Sequence, residues 1–202
     1  MLNDEALDVL LRKARTAHAW LDRPVSDELL RQIYDLMKWG PTSANCCPAR
    51  IVFLRTPAAK QRLLPALSPG NVEQTMRAPV TAVVAYDLRF YEKLPKLFPH
   101  NPKMLERFRS SPDLAGPTAF RNGTLQGGYF MLAARSLGLD CGPMSGFDNA
   151  KVDQEFFSSP ESELFPGGQV KSNFLCNLGY ADPAKFFPRQ ARLDFDEACT
   201  LL

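Results

Sequence analysis

Histidine is almost absent from this chain: His18 and His100 are the only two in 202 residues. A catalytic zinc or a two-histidine iron centre would need both, and nothing near them supports one. Cysteine is scarce as well. The five, Cys46, Cys47, Cys141, Cys176 and Cys199, are odd in number and include no C-x-x-C, which argues against a disulfide framework and for reduced thiols in a cytoplasmic protein. No apolar run reaches the length of a membrane span, and MLNDEALDVL has no basic-then-apolar leader pattern. The net charge of +2 is too balanced to make nucleic acid a main partner. Also missing are G-x-G-x-x-G after a strand, G-x-x-x-x-G-K-[ST] and G-x-S-x-G; in GPMSG the serine falls one place late. Dinucleotide-fold, P-loop and serine-hydrolase chemistry therefore lose their usual support.

What is present is an ordinary globular composition, 45% hydrophobic and 23% charged, enough for one domain spanning 1–202. Helical spacing runs over Asp4–Arg15 (Leu7, Leu10, Leu11, Ala14). It recurs after an N-capping Ser26, with Leu29, Leu30, Ile33, Leu36 and Met37 on the helix. Thr56-Pro57 caps a short helix, Asp148 caps another, and the longest runs from Thr118 to Leu137. Gly127-Gly128 inside that longest helix suits close packing by another backbone. Apolar strands are expected at 50–54, 79–86 and 170–180, with a last strand or turn at 193–195. Residues 68–71 read as a turn and 140–147 as a small-residue loop. The proline- and aromatic-rich stretch 87–117 reads as a packed excursion, serving as a lid or as core filling.

The stretch WGPTSANCCPARIVFL (39–54) joins helix to strand through small polar residues. Gly40-Pro41 stops the helix, and Thr42, Ser43 and Asn45 offer hydroxyls, an amide and approachable backbone N–H groups. Other polar features are spread along the chain: a basic exit at Arg15, Thr16 and His18, the Gly70-Asn71 pair, the loop Pro143-Met144-Ser145-Gly146, and a late Arg192. Cys46-Cys47 reads as a pair of small buried thiols.

In this order the features resemble the FMN-dependent nitroreductase family. In that family an N-terminal basic segment binds the flavin phosphate, and Ala14 to His18 stand in its place. A P-S-S-x-N-x-x-P loop lines the flavin, matched by Pro41 to Pro48, with Pro41, Thr42, Ser43 and Asn45 on the pattern. Asn71, the segment Pro143, Met144, Ser145 and Gly146, and Arg192 take the remaining cofactor positions. Ala14 replaces the first family arginine, and Gln190 stands where some relatives carry a cation. Within the family, MKWGPTSANCCPARIVF, FRNGTLQ, LGLDCGPMSGFD and VKSNFLCNLGY are most similar to the members that reduce malonic semialdehyde in bacterial pyrimidine degradation.

The resemblance implies an α+β fold, a mixed central sheet flanked by helices, and a homodimer with a C-terminal extension and FMN at its interface. It also implies a ping-pong hydride transfer through the flavin N5, with NADH or NADPH as reductant. Malonic semialdehyde, reduced to 3-hydroxypropionate, is the expected acceptor. A broad nitro-compound or quinone reductase and a non-catalytic flavin-binding protein stand as alternatives. An acidic substrate wants a cation, and Arg50, Arg121 and Lys171 are the candidates. FMN chemistry needs cations at one end, hydrogen-bonding groups at the other and no acid–base triad.

Overall fold

The computed structural model describes residues 1–158, 165 and 169–202. Four strands form its sheet in the order β1-β2-β4-β3: β1 (Ala49–Leu54), β2 (Val80–Asp87), β3 (Asp140–Met144) and β4 (Val170–Gly179). All three ladders are antiparallel, and the one parallel pairing among the described residues is an isolated bridge from Thr16 to Cys141 at the β3 edge. β2 is buried along most of its length, as its uninterrupted apolar run requires.

Helices cover both faces. α2 (Asp27–Met37) is capped by Ser26, whose Oγ accepts from the Leu29 N–H at 3.2 Å. It buries Leu30, Ile33 and Met37 with α7 (Pro112–Ser136) against Val80, Ala82 and Val84. Leu36, expected on that buried face, points outward with Tyr34. On the other side, α3 (Pro57–Leu63), capped by Thr56, and α8 (Asn149–Phe156), capped by Asp148, pack Leu63, Val152 and Phe156 on Val83, Ala85 and Leu175.

Several elements differ from the sequence expectation. α1 (Asp4–Leu7) opens into a π-helical turn at Asp8–Arg12 and buries none of its residues. Pro69 starts α4 (Pro69–Arg77), so 68–71 is a helix start rather than a turn. Residues 140–144 are β3, an edge strand; Gly142 and Pro143 hide the strand pattern, and an edge tolerates a proline. The long helix begins at Pro112 and carries Pro117 within its second turn. Gly127 is where the Phe174 ring enters, since a Cβ there would lie 2.5 Å from it, whereas Gly128 faces open space. The close partner is therefore an aromatic ring rather than a second backbone.

The excursion after β2 forms α5 (Leu94–Leu97) and α6 (Lys103–Arg109). Phe90, Leu94 and Phe108 make a small core of their own with Cys46, Ala115 and Ala119, so its aromatics fill space over the 41–48 loop. The tail ends in α9 (Phe195–Ala198), with Asp194 and Glu197 forming a capping box where a strand or turn was expected.

Lys60 on α3 is 4% exposed, and its ammonium donates to the Ala78 carbonyl just beyond α4. Burial lowers its pKa to about 8, below its value in the unfolded chain. Between those values the unfolded chain holds more protons, so this residue makes stability rise from pH 8 towards pH 10. Urea midpoints at pH 7 and pH 9.5 check this: the rise should flatten in Lys60→Met, and equal slopes in both proteins would contradict it.

Candidate active site

The structure gathers the polar residues into two groups. In the first, the Thr16–Cys141 bridge and the Ala17 N–H to Cys141 carbonyl bond, 3.0 Å, lay the basic segment along β3. His18 Nδ1 meets Gln74 Oε1 at 2.9 Å, Gln74 Nε2 donates to Asn71 Oδ1 at 2.7 Å, and Asn71 Nδ2 donates to the Gly146 carbonyl at 2.8 Å. Trp20 Nε1 donates to the Gln74 carbonyl at 3.0 Å. This chain of hydrogen bonds ties the N-terminal exit, α4 and the β3–α8 turn together: His18, Asn71 and Gly146 are joined through Gln74, Thr16 is paired to Cys141 at the β3 edge, and the Arg15 guanidinium rests on the Lys13 and Ala14 carbonyls. A Cβ at Gly146 would lie 2.5 Å from Asn71 Nδ2, so the close approach requires glycine. The N–H groups of Ser145 and Gly146 have no protein acceptor among the described residues.

The second group is the loop before β1. Its backbone is strained: Ala44, Asn45 and Cys47 have φ of 50°, 48° and 40°, a region that costs an ordinary residue about 1–2 kcal/mol. One face of α7 holds it there. Tyr129 donates its hydroxyl to the Pro41 carbonyl at 3.1 Å, Asn122 Oδ1 accepts from the Ser43 N–H at 2.9 Å, and Gln126 Oε1 accepts from the Ala49 N–H at 2.8 Å. Asn45 Nδ2 reaches the Leu97 carbonyl at 2.8 Å, and Thr42 Oγ1 accepts from the Cys47 N–H at 3.2 Å.

The two groups lie at opposite edges of the sheet, since β1 and β3 are its outer strands. Three strand spacings separate them, about 14 Å. Along the sheet, Ala49 is level with Tyr86 and Lys171, whereas Pro143 and Met144 are level with Cys176 and Leu175. Arg192 joins neither group; it is exposed and bonded to the carbonyls of Gln190 and Ala191. The tail meets the first group through Arg189, which donates to the Arg12 and Ala14 carbonyls, and through Phe187, edge-on to His18 at 5.0 Å.

Over residues 11–165 the chain matches the model of the nitroreductase family. It belongs to that family. It is 56% identical, over the full length of both chains, to a protein of Cupriavidus pinatubonensis provisionally named an NADH dehydrogenase/NAD(P)H nitroreductase. It is 54% identical, over 97% of each chain, to HadB of Ralstonia pickettii, named in the same way. A nitroreductase-class structure from Bacillus subtilis, ydfN, superposes with a TM-score of 0.82 over 99% of this chain and 100% of that one at 18% identity. A family structure from Exiguobacterium sibiricum, solved in complex with FMN, gives 0.80 over 100% and 99% at 16%. At such identities these structures establish a shared fold.

Within the family frame, the three candidate substrate cations differ. Arg50 is committed to buried Asp87 at 2.6 Å and to the Cys47 and Ala49 carbonyls. Lys171 pairs with Asp153 at 3.5 Å. Arg121, exposed on α7 beside Asn122, has no ion pair among the described residues. Burial pushes the Cys46 thiol up to about 11, so it stays protonated and is no nucleophile. The described residues contain no group of side chains able to hold a metal ion, and no helix long and apolar enough to cross a membrane.

Sequence reading missed Asn122, Gln126 and Tyr129, the anchors on α7. Their signal was there: polar and aromatic residues at i, i+4 and i+7 in an otherwise apolar, glycine-bearing helix. Gln74 and Arg189 carried no comparable signal.

Proposed function

We propose that this chain is an FMN-dependent NAD(P)H oxidoreductase, acting as a homodimer, whose acceptor is malonic semialdehyde. The observation that carries this reading is the first group: the basic segment at Arg15–His18 is tied to β3 and, through Gln74 and Asn71, to Gly146, whose N–H and that of Ser145 have no protein acceptor among the described residues. That donor set fits a phosphate joined to a flat ring with hydrogen-bonding edges. Arg15 and Thr16 would hold the phosphate, with Arg192, which joins neither group within its own protomer, supplied by the tail of a second copy; Asn71 and the Pro143–Gly146 segment would hold the ring. When bound, FMN supplies the hydride chemistry between NAD(P)H and acceptor, so the protein needs no triad.

The separation of the two groups supports the dimer. The Pro41–Asn45 loop lies at the opposite sheet edge from the first group of its own protomer, and a second copy can bring one there. One surface supports the pairing. The tail exposes Leu193, Phe195, Leu201 and Leu202. An exposed apolar patch of this kind marks an interface.

With Arg50 and Lys171 paired, Arg121 is the cation left for the acceptor's carboxylate, and it sits next to the residue that fixes Ser43. A broad nitro-compound or quinone reductase is the second reading, favoured by the names of the 54–56% identical relatives. Anaerobic reoxidation of the NAD(P)H-reduced protein separates the two. Malonic semialdehyde should reoxidise it faster than a nitroaromatic, with the advantage lost in Arg121→Ala. The reverse order of rates would establish the second reading.

A further inference from the structure

We infer that the excursion between β2 and α7 is a docking surface for the phosphates of the pyridine dinucleotide, and that it makes the 2′-phosphorylated form, NADPH, the preferred reductant. The inference rests on the reading of the chain as an NAD(P)H oxidoreductase and goes beyond it in naming the surface and the nucleotide. Residues 88–110 hold six lysines and arginines against two glutamates, net +4 in a chain whose net charge is +2, so the remainder is net −2. The surplus cation is therefore concentrated in 23 consecutive residues.

Both glutamates there are already neutralised: Glu92 pairs with Arg89, and Glu106 lies 3.4 Å from Arg109. Lys93, Lys96, Lys103 and Arg107 are exposed and have no ion pair among the described residues. The apolar residues of the segment, Phe90, Leu94 and Phe108, face inward onto Cys46, which leaves the charged ones to solvent.

Position ties this charge to the candidate site. The Leu97 carbonyl holds the Asn45 amide at 2.8 Å, so Lys96 stands one residue from a contact with the strained loop. Lys93 lines the same groove as Cys47 and Arg50. A cluster of one sign beside a cleft raises the local concentration of an oppositely charged ligand and its on-rate, by about 10- to 1,000-fold in steered systems. NADPH carries its pyrophosphate plus a 2′-phosphate dianion, NADH the pyrophosphate alone. The field therefore discriminates between them without a pocket shaped for the ribose, consistent with the lack of any recognisable ribose-reading motif.

The test uses the flavin-loaded protein and Lys93→Glu/Lys96→Glu, both exposed positions. Anaerobic stopped-flow reduction by NADPH and by NADH, at low and at physiological ionic strength, is paired with calorimetric binding of NADP⁺ and NAD⁺. The parent should react faster with NADPH, with the steeper salt dependence. The double variant should lose about tenfold in the NADPH rate at low salt, less with NADH, and its NADP⁺ affinity should fall to that for NAD⁺. The milder Lys93→Gln/Lys96→Gln should fall between, and Arg62→Glu/Lys151→Glu, on the α3–α8 face, should leave the preference intact. Equal rates and salt slopes for the two nucleotides, or an unchanged preference in the double variant, would overturn the inference. Failure of the oxidoreductase reading looks different: no flavin retained, or no bleaching by either nucleotide. In that case the NADP⁺ and NAD⁺ affinities alone decide.

Discussion

Arg50→Ala is expected to destabilise the protein by about 3 kcal/mol, the lower end for removing one partner of a buried ion pair. The lower end applies because Arg50 is 17% exposed, while Asp87, which it would abandon, is only 5% exposed. The other Asp87 oxygen accepts from the Arg89 N–H at 2.8 Å, which offsets part of the loss but leaves a carboxylate without its cation. Arg50 also donates to the Cys47 carbonyl at 3.2 Å, so the same change loosens the end of the strained loop. For a chain of this size the melting temperature should fall by about 6–12 °C. Removing both partners, in Arg50→Ala/Asp87→Ala, should recover part of the loss, since no orphaned charge then remains. A substrate-binding arginine would behave differently, with unchanged melting and a raised KM for the acidic acceptor. Thermal unfolding of the single and double variants separates these outcomes.

Asn122→Ala carries the second large effect, on the loop rather than on global stability. Its Oδ1 is the acceptor for the Ser43 N–H, and its Nδ2 is satisfied within α7 by the Thr118 carbonyl at 2.9 Å. Ser43 is exposed, so water can take the freed donor, and losing the acceptor costs about 0.5–1.5 kcal/mol, the net value of one hydrogen bond. The three anchors on α7 bond Pro41, Ser43 and Ala49, which bracket the left-handed Ala44, Asn45 and Cys47, so the freed loop has strain to release. Amide exchange at Ser43 should quicken by about tenfold or more. FMN affinity should fall with it if the loop serves the site as proposed. Gln126→Ala, which frees the Ala49 N–H instead, should act in the same direction. Unchanged exchange at Ser43 in Asn122→Ala would remove α7 as the element that shapes this loop.

Much of the fold was legible from local rules. Ser26, Thr56 and Asp148 announced their helices because a capping side chain satisfies a backbone donor nothing else can reach. The apolar runs of β1, β2 and β4 announced strands because both faces are covered. β3 was not legible, since Asp140–Met144 earns its strand from the neighbouring ladder rather than from its own residues. Pro117 hid the first turns of α7 for a related reason: in the second turn a proline forfeits the bond to the Asp113 carbonyl, and the burial of Ala115 and Ala119 outweighs that cost. The candidate cofactor positions could be marked along the chain, but not their division into two separated groups. That division depends on strand order, which local pattern does not encode. Arg50 looked like a free cation because its partner, Asp87, is 37 residues away and meets it only across the β1–β2 ladder.

The account turns on the group built from Arg15, His18, Asn71 and Gly146, and titration of the purified protein with FMN tests it most directly. The prediction is saturable binding with quenched flavin fluorescence, one FMN per chain, weakened by Arg15→Ala. A protein that is colourless as purified and leaves added FMN fluorescence unchanged would contradict it.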